Sequence, residues 1–544
     1  MNTTSLQEGN NGKQKNSADI VVVGSGVAGG LVAHQMALAG ASVILLEAGP
    51  RIPRWQIVEN FRNSPVKSDF ATPYPSTPYA PHPEYAPANN YLIQKGDYPY
   101  SSQYLRLVGG TTWHWAAAAW RLLPSDFQLH KLYGVGRDWP YPYETLEPWY
   151  SAAEVQLGVS GPGNSIDLGS PRSKPYPMNP LPLSYMDQRF SDVLNAQGFK
   201  VVPEPVARNS RPYDARPTCC GNNNCMPICP IAAMYNGVAH AEKAEQAGAK
   251  LIPEAVVYRV EADNKGLITA VHYKDPNGNS TRVTGKLFVL AANGIETPKL
   301  MLMSTSDKFP HGVGNSSDQV GRNLMDHPGT GVTFLANEPL WPGRGPMEMT
   351  SIVNFRDGAF RSDYAAKKLH LSNGVPTMSV TADLLKKGLT GAELDRQIRD
   401  RAARTLNINS FHEHLAEPQN RVVPSADHKD SLGIPQPEIY YSINDYVKKS
   451  AANTHEVYAQ IAALFGGAEV TFDDTFAPNN HIMGTTIMGS DPADSVVDAD
   501  CRTHDHSNLF IASSGVMPTA ASVNCTLTIA ALSLKLADKL KREI

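Results

Sequence analysis

A glycine-rich turn near the N-terminus constrains the fold more than any other feature of the sequence. The apolar run from Ile20 to Val23 leads directly into Gly24-Ser-Gly26-Val-Ala-Gly29, and a helical pattern follows from Leu31 to Ala39. A second apolar run, Val43 to Leu46, ends at Glu47. This order predicts a strand–turn–helix–strand unit with a right-handed crossover, the first half of an α/β domain with a parallel sheet.

The same turn indicates a dinucleotide-binding site. Gly24, Gly26 and Gly29 permit a tight turn, close approach of the backbone to a pyrophosphate, and close packing of the helix on the strand, while the helix N-terminus offers N–H groups. Glu47 follows Gly24 by 23 residues, where a carboxylate would bind a ribose hydroxyl. An acid there favours a ribose diol over a 2′-phosphate but does not separate NAD from FAD.

Length and composition limit the class of protein. A chain of 544 residues exceeds the size at which one hydrophobic core stops growing, so we expect two or more lobes. With 48 basic and 52 acidic residues the net charge is −4, and no nucleic-acid partner is expected. The first 19 residues are polar, and no apolar run reaches about 18 residues, so we expect no export signal or membrane-spanning segment in this chain.

The rest of the chain divides into regions of different rhythm. Residues 50–99 are rich in Pro, Tyr and Asn and predict extended surface connections. Residues 255–290 alternate apolar and polar positions across two turns, which predicts an antiparallel meander. A charged helical segment near Thr390 to Arg404 falls in a second lobe at about 330–475, and Leu527 to Ile544 has the apolar spacing of a terminal helix.

Segments spread over nearly the whole chain resemble the glucose-methanol-choline (GMC) family of oxidoreductases. The similar segments are Val108-Gly-Gly-Thr-Thr-Trp-His-Trp115, Ala291-Ala-Asn-Gly-Ile-Glu-Thr-Pro298, Val320-Gly-Arg-Asn-Leu-Met-Asp-His327, Asn480-His481, Ser513-Ser-Gly-Val-Met-Pro518 and Asn524. A further stretch, CCGNNNCMPICP, is similar to the cluster-binding insertion in the large subunits of bacterial membrane-associated glucose, fructose, sorbitol and gluconate dehydrogenases.

The resemblance implies FAD rather than NAD, and a two-lobed fold. We expect a Rossmann-like α/β FAD-binding domain joined to an α+β substrate-binding domain built on a sheet. The implied division is a disordered tail at 1–18, an FAD-binding domain at 19–60, 100–125, 190–330 and 476–544 with a Cys-rich insertion at 216–237, and substrate-binding and surface segments at 61–99, 126–189 and 331–475.

Several cofactor-binding residues follow from the resemblance and add to those of the glycine turn. They are Gly109, Gly110, His114, Val257, Ala292 and Gly515. Thr112-Trp-His114-Trp is similar to the segment of pyranose-oxidising relatives in which a histidine is joined to the flavin methyl group. His114 is therefore expected either to carry this covalent link or to pack near the isoalloxazine ring.

A histidine and an asparagine near the C-terminus are the candidate catalytic pair. Oxidation of an alcohol by hydride transfer requires a base near the hydroxyl, and imidazole suits that role. His481 follows Pro478-Asn-Asn, and Asn524 lies 43 residues further on. The resemblance assigns His481 as the general base, Asn524 as its hydrogen-bonding partner, and Asn480 as a neighbour of the pair.

Four of the six cysteines are clustered, which indicates a metal or redox site. Thiolates suit iron–sulfur clusters, and Cys220, Cys225 and Cys229 supply three closely spaced ligands. Three ligands suit a 3Fe-4S cluster, which the resemblance also implies, whereas a 4Fe-4S cluster would need the adjacent Cys219 and a strained backbone. A zinc knuckle and a pair of disulfides are the alternatives, and the two cysteines outside the cluster are expected to be buried small residues.

These features together predict an FAD-dependent dehydrogenase that oxidises a sugar or polyol at a CH–OH group. The resemblance favours glucose, with gluconate, fructose and sorbitol as alternatives, and an oxygen-using pyranose-type oxidase or a non-enzymatic electron-transfer flavoprotein as other classes. It implies relay of electrons through the cluster to a multihaem cytochrome c subunit. It also implies a small subunit bearing the export signal, and hence the periplasmic face of the inner membrane.

Overall fold

The computed structural model of the chain describes residues 16–65, 67, 72–83, 91–163 and 166–544. Most of the tail expected at 1–18 lies outside the described residues, and its last two residues, Ser17 and Ala18, begin the first strand. Parts of the segments 61–99 and 126–189 also lie outside the described ranges. None of the helices in the described part combines the length and apolar character needed to cross a membrane.

The strands in the described ranges have the following bounds: β1 Ser17–Val23, β2 Val43–Leu46, β3 Ile93–Gln94, β4 Val201–Pro203, β5 Lys250–Ile252, β6 Val256–Ala262, β7 Ile268–Lys274, β8 Ser280–Leu290, β9 Gly329–Leu335, β10 Thr350–Ile352, β11 Lys367–Leu371, β12 Thr405–His412, β13 Arg421–Lys429, β14 Pro435–Tyr440, β15 Ala468–Ala477 and β16 Leu509–Ile511.

The helices of the same ranges are α1 Val27–Leu38, α2 Arg54–Asn63, α3 Leu129–Tyr133, α4 Tyr143–Leu157, α5 Tyr185–Asn195, α6 Val238–Gln246, α7 Asn293–Met303, α8 Thr377–Lys386, α9 Gly391–Arg404, α10 Asp445–Leu464 and α11 Thr526–Leu540.

The first sheet has seven strands and contains the unit expected from the glycine-rich turn. Its order is β5-β2-β1-β8-β7-β6, with β16 alongside the C-terminal part of β8. The strands β5, β2, β1, β8 and β16 are parallel, and the meander β6-β7-β8 is antiparallel, as predicted. Runs such as Ile20–Val23 and Val43–Leu46 are continuously buried because helices cover this part of the sheet.

The second sheet has six antiparallel strands in the order β15-β9-β12-β11-β10-β4. One of its faces carries Leu369, Leu371 and Ile408, which pack with apolar residues of α5 and α10 in a separate core. A third, three-stranded sheet has the order β13-β14-β3. The expected fold class, an α/β FAD-binding domain joined to a substrate domain built on a sheet, is confirmed.

Two regions differ from the sequence-based description. The helix α2 lies within residues 50–99, where extended connections were expected, because its ten residues are too few to show a period among prolines. The stretch 190–203 was grouped with the FAD-binding domain, but the end of α5 packs on the second sheet and β4 pairs with β10. Short strands of this kind are placed by partners that are distant in sequence.

Candidate active site

A cavity of about 570 Å³ lies where the two large sheets meet. Four parallel strands of the first sheet end at its wall, so that residues just beyond β1, β2, β8 and β16 line it: Gly24, Glu47, Ala292 and Ser513. Ligands of open α/β sheets bind at this carboxyl edge. The second sheet contributes Asn409 and Phe411 to the opposite side.

The glycine turn has the shape that a pyrophosphate requires. Gly24 has a φ of +102°, which favours glycine, and a Cβ on Gly29 would lie 1.8 Å from the carbonyl oxygen of Gly24. Apart from Gly26 itself, its chain neighbours and the backbone of α1, no heavy atom of the described residues lies within 4 Å of the position that a Cβ would take on Gly26. The backbone at the helix N-terminus is therefore open toward the cavity, where the helix dipole favours an anion.

Glu47 is buried at the end of β2 and closes this turn. Its Oε2 accepts hydrogen bonds from Ser25 N at 2.9 Å and Ser25 Oγ at 2.7 Å, and its Oε1 accepts from Gly49 N at 3.1 Å. Burial raises the pKa of this carboxyl, while the three donors oppose the shift. Each carboxylate oxygen accepts more than one hydrogen bond, so the group retains capacity for a ribose hydroxyl.

The other residues predicted to bind the cofactor fall into two groups. Gly26, Gly110, His114 and Val257 line the cavity along with the residues at the strand ends, and Gly29, Gly109 and Gly515 lie immediately behind its wall. The ring of His114 packs against Tyr74 at a centroid distance of 5.8 Å, and burial lowers the pKa of His114 to about 3. This position fits both a covalent flavin link and simple packing.

The cavity also holds a donor without a protein acceptor. Nε2 of the Gln103 side chain is buried on the cavity wall and has no hydrogen-bond partner among the described residues. A buried donor left in this state is costly unless a ligand satisfies it. With the backbone N–H groups of the open turn at Gly26 as further donors and the carboxylate of Glu47 as an acceptor, this amide gives the cavity the polar groups that a flavin dinucleotide needs.

His481 and Asn524 lie side by side at the end of the cavity near the second sheet. Asn524 Nδ2 and His481 Nε2 are 3.1 Å apart, and both residues line the cavity. Burial, followed by the nearby His327 and Lys368, holds the pKa of His481 well below its usual range. The imidazole is therefore neutral near neutral pH and has one nitrogen that can accept a proton.

The tautomer of His481 follows from the groups behind it. His327 Nε2 lies 3.1 Å from Ala520 O and 3.0 Å from Ala521 O, and carbonyl oxygens can only accept, so this nitrogen carries the proton. Burial lowers the pKa of His327 to about 4, so its Nδ1 is unprotonated. Nδ1 of His481 lies 2.8 Å away and must donate to it. The lone pair of His481 is then on Nε2, at the cavity, where it accepts a hydrogen bond from Asn524 Nδ2.

A lysine orients the amide of Asn524. Lys368 Nζ, which can only donate, lies 3.3 Å from Asn524 Oδ1, so the Nδ2 group is directed toward His481. Lys368 is fully buried and pairs with Glu204 at 2.8 Å. Although burial alone would raise the pKa of Glu204, the Lys368 charge lowers it, which keeps this carboxylate ionised.

Asp326 fixes the backbone on which the two histidines stand. Its Oδ1 accepts from the backbone N–H groups of His327, Asn479 and His481 at 2.6, 3.2 and 3.0 Å. Asp326, His327 and His481 form the one group in the described residues that approaches the spacing of a metal site, with ligand atoms within 4.8 Å. Direct hydrogen bonds already occupy the facing nitrogens and oxygens, so these bonds explain the cluster.

Asn480 differs from the expectation for a member of the catalytic group. Its φ is +61° and its side chain turns away, so that Oδ1 accepts a hydrogen bond from Gln103 N at 2.6 Å. The residue is exposed and borders the cavity without contacting the His481 ring by any hydrogen bond of the described chain. The geometry gives Asn480 a part in shaping the loop rather than in proton transfer.

The clustered cysteines lie on a loop that joins the cavity to the surface. Cys225 and Cys229 are buried, Cys220 is exposed, and all the cysteines of the chain are free thiols, so the disulfide alternative is not formed. Met226, next to Cys225, lines the cavity. Within the described part of the chain, no cysteine sulphur lies within 4.8 Å of two other potential metal-ligand atoms that are equally close to each other. This spacing argues against a single zinc ion.

Contacts on both sides hold this loop in place. Arg54 Nη1 donates to Cys229 O at 2.7 Å, and Asn223 Nδ2 donates to Gly345 O at 2.8 Å and Asn373 O at 2.6 Å. A multi-iron cluster does not require its sulphur ligands to converge on one point, so three thiols on a fixed loop suit it.

Sequence reasoning missed the residues that set the state of the catalytic pair. Asp326 and His327 belong to one of the segments that carry the family resemblance but received no role, and Lys368 was not singled out. A polar residue alternating with apolar ones, as in Lys368-Leu-His370-Leu, was the available signal for one polar face of a buried strand.

Comparisons with known proteins identify the family and the fold of the chain. Models described as GMC oxidoreductase match residues 203–329 and 397–533. The chain is 54% identical to the fructose dehydrogenase large subunit of Gluconobacter japonicus, covering 97% of this chain and 98% of that one. It is 27% identical to 2-methyl-1,2-propanediol dehydrogenase of Mycolicibacterium austroafricanum, over 96% and 95% of the two chains. A formate oxidase structure shares the fold, with a TM-score of 0.66 at 16% identity and coverage of 97% and 98%.

Proposed function

The chain belongs to the GMC oxidoreductase family and is an FAD-dependent enzyme that acts on CH–OH groups. From this we propose that it oxidises D-fructose as the large subunit of a dehydrogenase complex. The observation that carries the substrate is the 54% identity, over nearly the whole of both chains, to a fructose dehydrogenase large subunit. The family resemblance of the sequence favoured glucose, but glucose receives no comparable support. Fructose therefore replaces glucose as the proposed substrate.

The residues at the cavity end supply the acid–base chemistry of this proposal. His481 Nε2 accepts the proton of the substrate hydroxyl, because its tautomer leaves the lone pair there. Asn524 Nδ2 donates to the substrate oxygen as negative charge develops on it, and Lys368 holds the amide in the donating orientation. The apolar ring of Phe411 lies 5.3 Å from the His481 ring, centroid to centroid, and excludes water from this side.

The glycine turn, Glu47 and Gln103 would hold the dinucleotide, with Val257 and Ala292 along its length. When bound, FAD supplies the acceptor for the hydride that leaves the carbinol carbon. Whether His114 is joined to the flavin is decided by acid precipitation. Flavin released into the supernatant excludes the covalent link, and flavin retained in the pellet establishes it.

We further propose that Cys220, Cys225 and Cys229 ligate a 3Fe-4S cluster. The loop runs from the cavity wall at Met226 to the exposed Cys220, which suits a relay of electrons from the interior to a partner at the surface. Iron and sulfide analysis of anaerobically purified protein tests this assignment. An iron content matching three atoms per chain supports it, a four-iron content points to Cys219 as a further ligand, and absence of iron contradicts both.

The proposal includes two partner subunits. The relative from Gluconobacter japonicus is named as a large subunit, which supports a complex for this chain as well. We assign to the complex a small subunit that carries the export signal and a multihaem cytochrome c subunit that receives electrons at the periplasmic face of the inner membrane. Co-expression with and without the neighbouring subunits, followed by cell fractionation, tests this location. Export of the isolated chain would contradict it.

A dye-reduction assay tests the substrate and the acceptor together. We expect D-fructose to reduce an artificial dye at a far lower concentration than glucose, gluconate or sorbitol, with little peroxide formed in air. A preference for one of the other compounds would replace fructose as the substrate. Stoichiometric peroxide without dye would instead support an oxygen-using oxidase.

A further inference from the structure

The face of the second sheet that meets the cavity carries four polar side chains and one aromatic ring. Register pairs Ser351 with His370, and pairs His370 with Asn409 on the next strand, while Lys368 is paired with Phe411. Paired residues of neighbouring strands point to the same face, and successive residues point to opposite faces. These five side chains therefore share one face, with the apolar core of this sheet on the other.

Glu348 extends this polar face from the segment before β10. It lines the cavity, and the residue is 8% exposed. Its Oε1 lies 3.8 Å from His370 Nε2, which is too long for a hydrogen bond. Its Oε2 and the Nδ1 of His370 are both buried and have no hydrogen-bond partner within the described ranges of the chain. A buried carboxylate in this condition is destabilising, so a ligand is the natural source of its missing donors.

The backbone conformation of Glu348 also indicates a ligand-binding site. Its φ is +51°, a left-handed conformation that is uncommon for residues with a side chain. Such conformations cluster at ligand-binding sites, where the surrounding structure holds them. Because glycine would adopt this backbone more easily, the glutamate is retained at a cost to stability.

We propose that Glu348 and His370 form a subsite for sugar hydroxyl groups remote from the oxidised carbon. This assignment rests on the proposed function and adds to it the residues that select a polyhydroxylated substrate. A carboxylate accepts from two neighbouring hydroxyls, and His370 can donate to or accept from a third, so the ligand class is a vicinal polyol. Simple alcohols and apolar alcohols lack the donors that Glu348 requires.

The spacing separates this subsite from the proton-transfer pair. The rings of His370 and Phe411 are 4.8 Å apart, and those of Phe411 and His481 are 5.3 Å apart. Phe411, which also lines the cavity, thus stands between the subsite and the base. One ligand of sugar size can span the two, its reacting hydroxyl at His481 and its remote hydroxyls at Glu348.

Binding without turnover tests the subsite directly. His481→Ala, loaded with FAD, serves as the parent because it lacks the base, and D-fructose binding is measured from the sugar-dependent rise in Tm. We expect His481→Ala/Glu348→Gln to raise the apparent Kd by roughly 10- to 100-fold, the loss typical of a hydrogen bond to a charged group. The matched control is His481→Ala/Glu338→Gln, since Glu338 forms an exposed ion pair with Arg189, and we expect no change in Kd.

Stability without sugar supplies the second readout. Because Glu348→Gln removes a buried charge that has no protein donor, the Tm of this variant should equal or exceed that of the parent. A clear fall in Tm would show that Glu348 serves the fold and would overturn the subsite. Singly deoxygenated fructoses locate the contact. One of them should bind the parent about as weakly as fructose binds the Glu348→Gln variant, which should not distinguish the two sugars.

The possible failures are distinct. An unchanged Kd in the Glu348→Gln variant overturns the subsite and leaves fructose oxidation standing. Absence of binding by the parent for every ketose, aldose and polyol overturns the subsite as well. Glu348-dependent binding of a sugar that the wild-type protein does not oxidise supports the subsite and contradicts the proposed reaction.

Discussion

Replacing His327 tests whether the tautomer of His481 controls the reaction. In His327→Leu the Nδ1–H of His481 loses its acceptor at 2.8 Å. A buried N–H without a partner costs about 1–3 kcal/mol, and the other tautomer, with the proton on Nε2, avoids part of this cost by moving the proton toward the cavity. The lone pair then leaves the substrate side, and the rate of proton abstraction falls with the population of the active tautomer.

The magnitude follows from that shift. A change of about 1–3 kcal/mol corresponds to a loss of roughly 5- to 150-fold in the rate of anaerobic flavin reduction at saturating sugar. His327→Asn is the matched variant, because its Oδ1 is as many bonds from the backbone as His327 Nδ1 and can accept from His481. Stopped-flow measurement should rank wild type first, His327→Asn close behind, and His327→Leu far below, with little change in sugar Kd. Equal rates in the two variants, or a loss confined to Kd, would refute the reasoning.

Three further predictions concern other parts of the molecule. Because the pKa of His481 lies well below its ordinary value of about 6.5, the rate of flavin reduction should stay constant from about pH 8 to pH 6 and fall only at lower pH, as the base becomes protonated. Arg361→Leu leaves the buried Glu413 carboxylate, at 2.7 Å in the native protein, without its cation and should lower the free energy of unfolding by about 3–5 kcal/mol in denaturant titrations. Cys229→Ser should abolish the cluster signal in electron paramagnetic resonance while FAD and sugar-driven flavin reduction remain.

Each of these has a control or a contrary result. A rate that falls with an apparent pKa near 6.5 would contradict a buried neutral base at His481. Arg399→Leu, at an arginine that is 78% exposed, should change stability by no more than about 0.5 kcal/mol. Cys219→Ser should retain the cluster if three cysteines ligate it and lose it if four do.

Much of the FAD-binding domain was predictable because the local sequence pattern and the tertiary structure agree there. The strand–turn–helix–strand unit, the meander, the helix α9 and the terminal helix α11 all follow from periodicity and turn residues near in sequence. The strand β4 was not predictable in the same way. Its three residues form a strand because the register with β10, about 150 residues away, provides their hydrogen bonds.

In the candidate site, too, some features were predictable from local sequence and others depend on residues that are distant in the chain. His481 and Asn524 could be predicted as a pair because both lie in parts of the chain that resemble the GMC family. The states of these residues depend on groups that no local pattern reveals. The carbonyls of Ala520 and Ala521 determine which ring nitrogen of His327 carries the proton. The buried Lys368 determines the orientation of the Asn524 amide. Such pairings join residues more than 150 positions apart, so they became visible only in three dimensions.

An anaerobic absorption spectrum of the purified protein, recorded before and after addition of D-fructose, tests the central claim most directly. The account predicts that fructose bleaches the flavin band, over a broad background absorption from the cluster, while glucose at the same concentration leaves the band largely intact. A flavin band that no sugar bleaches would contradict the proposed oxidation. A bleached band without any cluster absorption would contradict the electron relay through the cysteine loop.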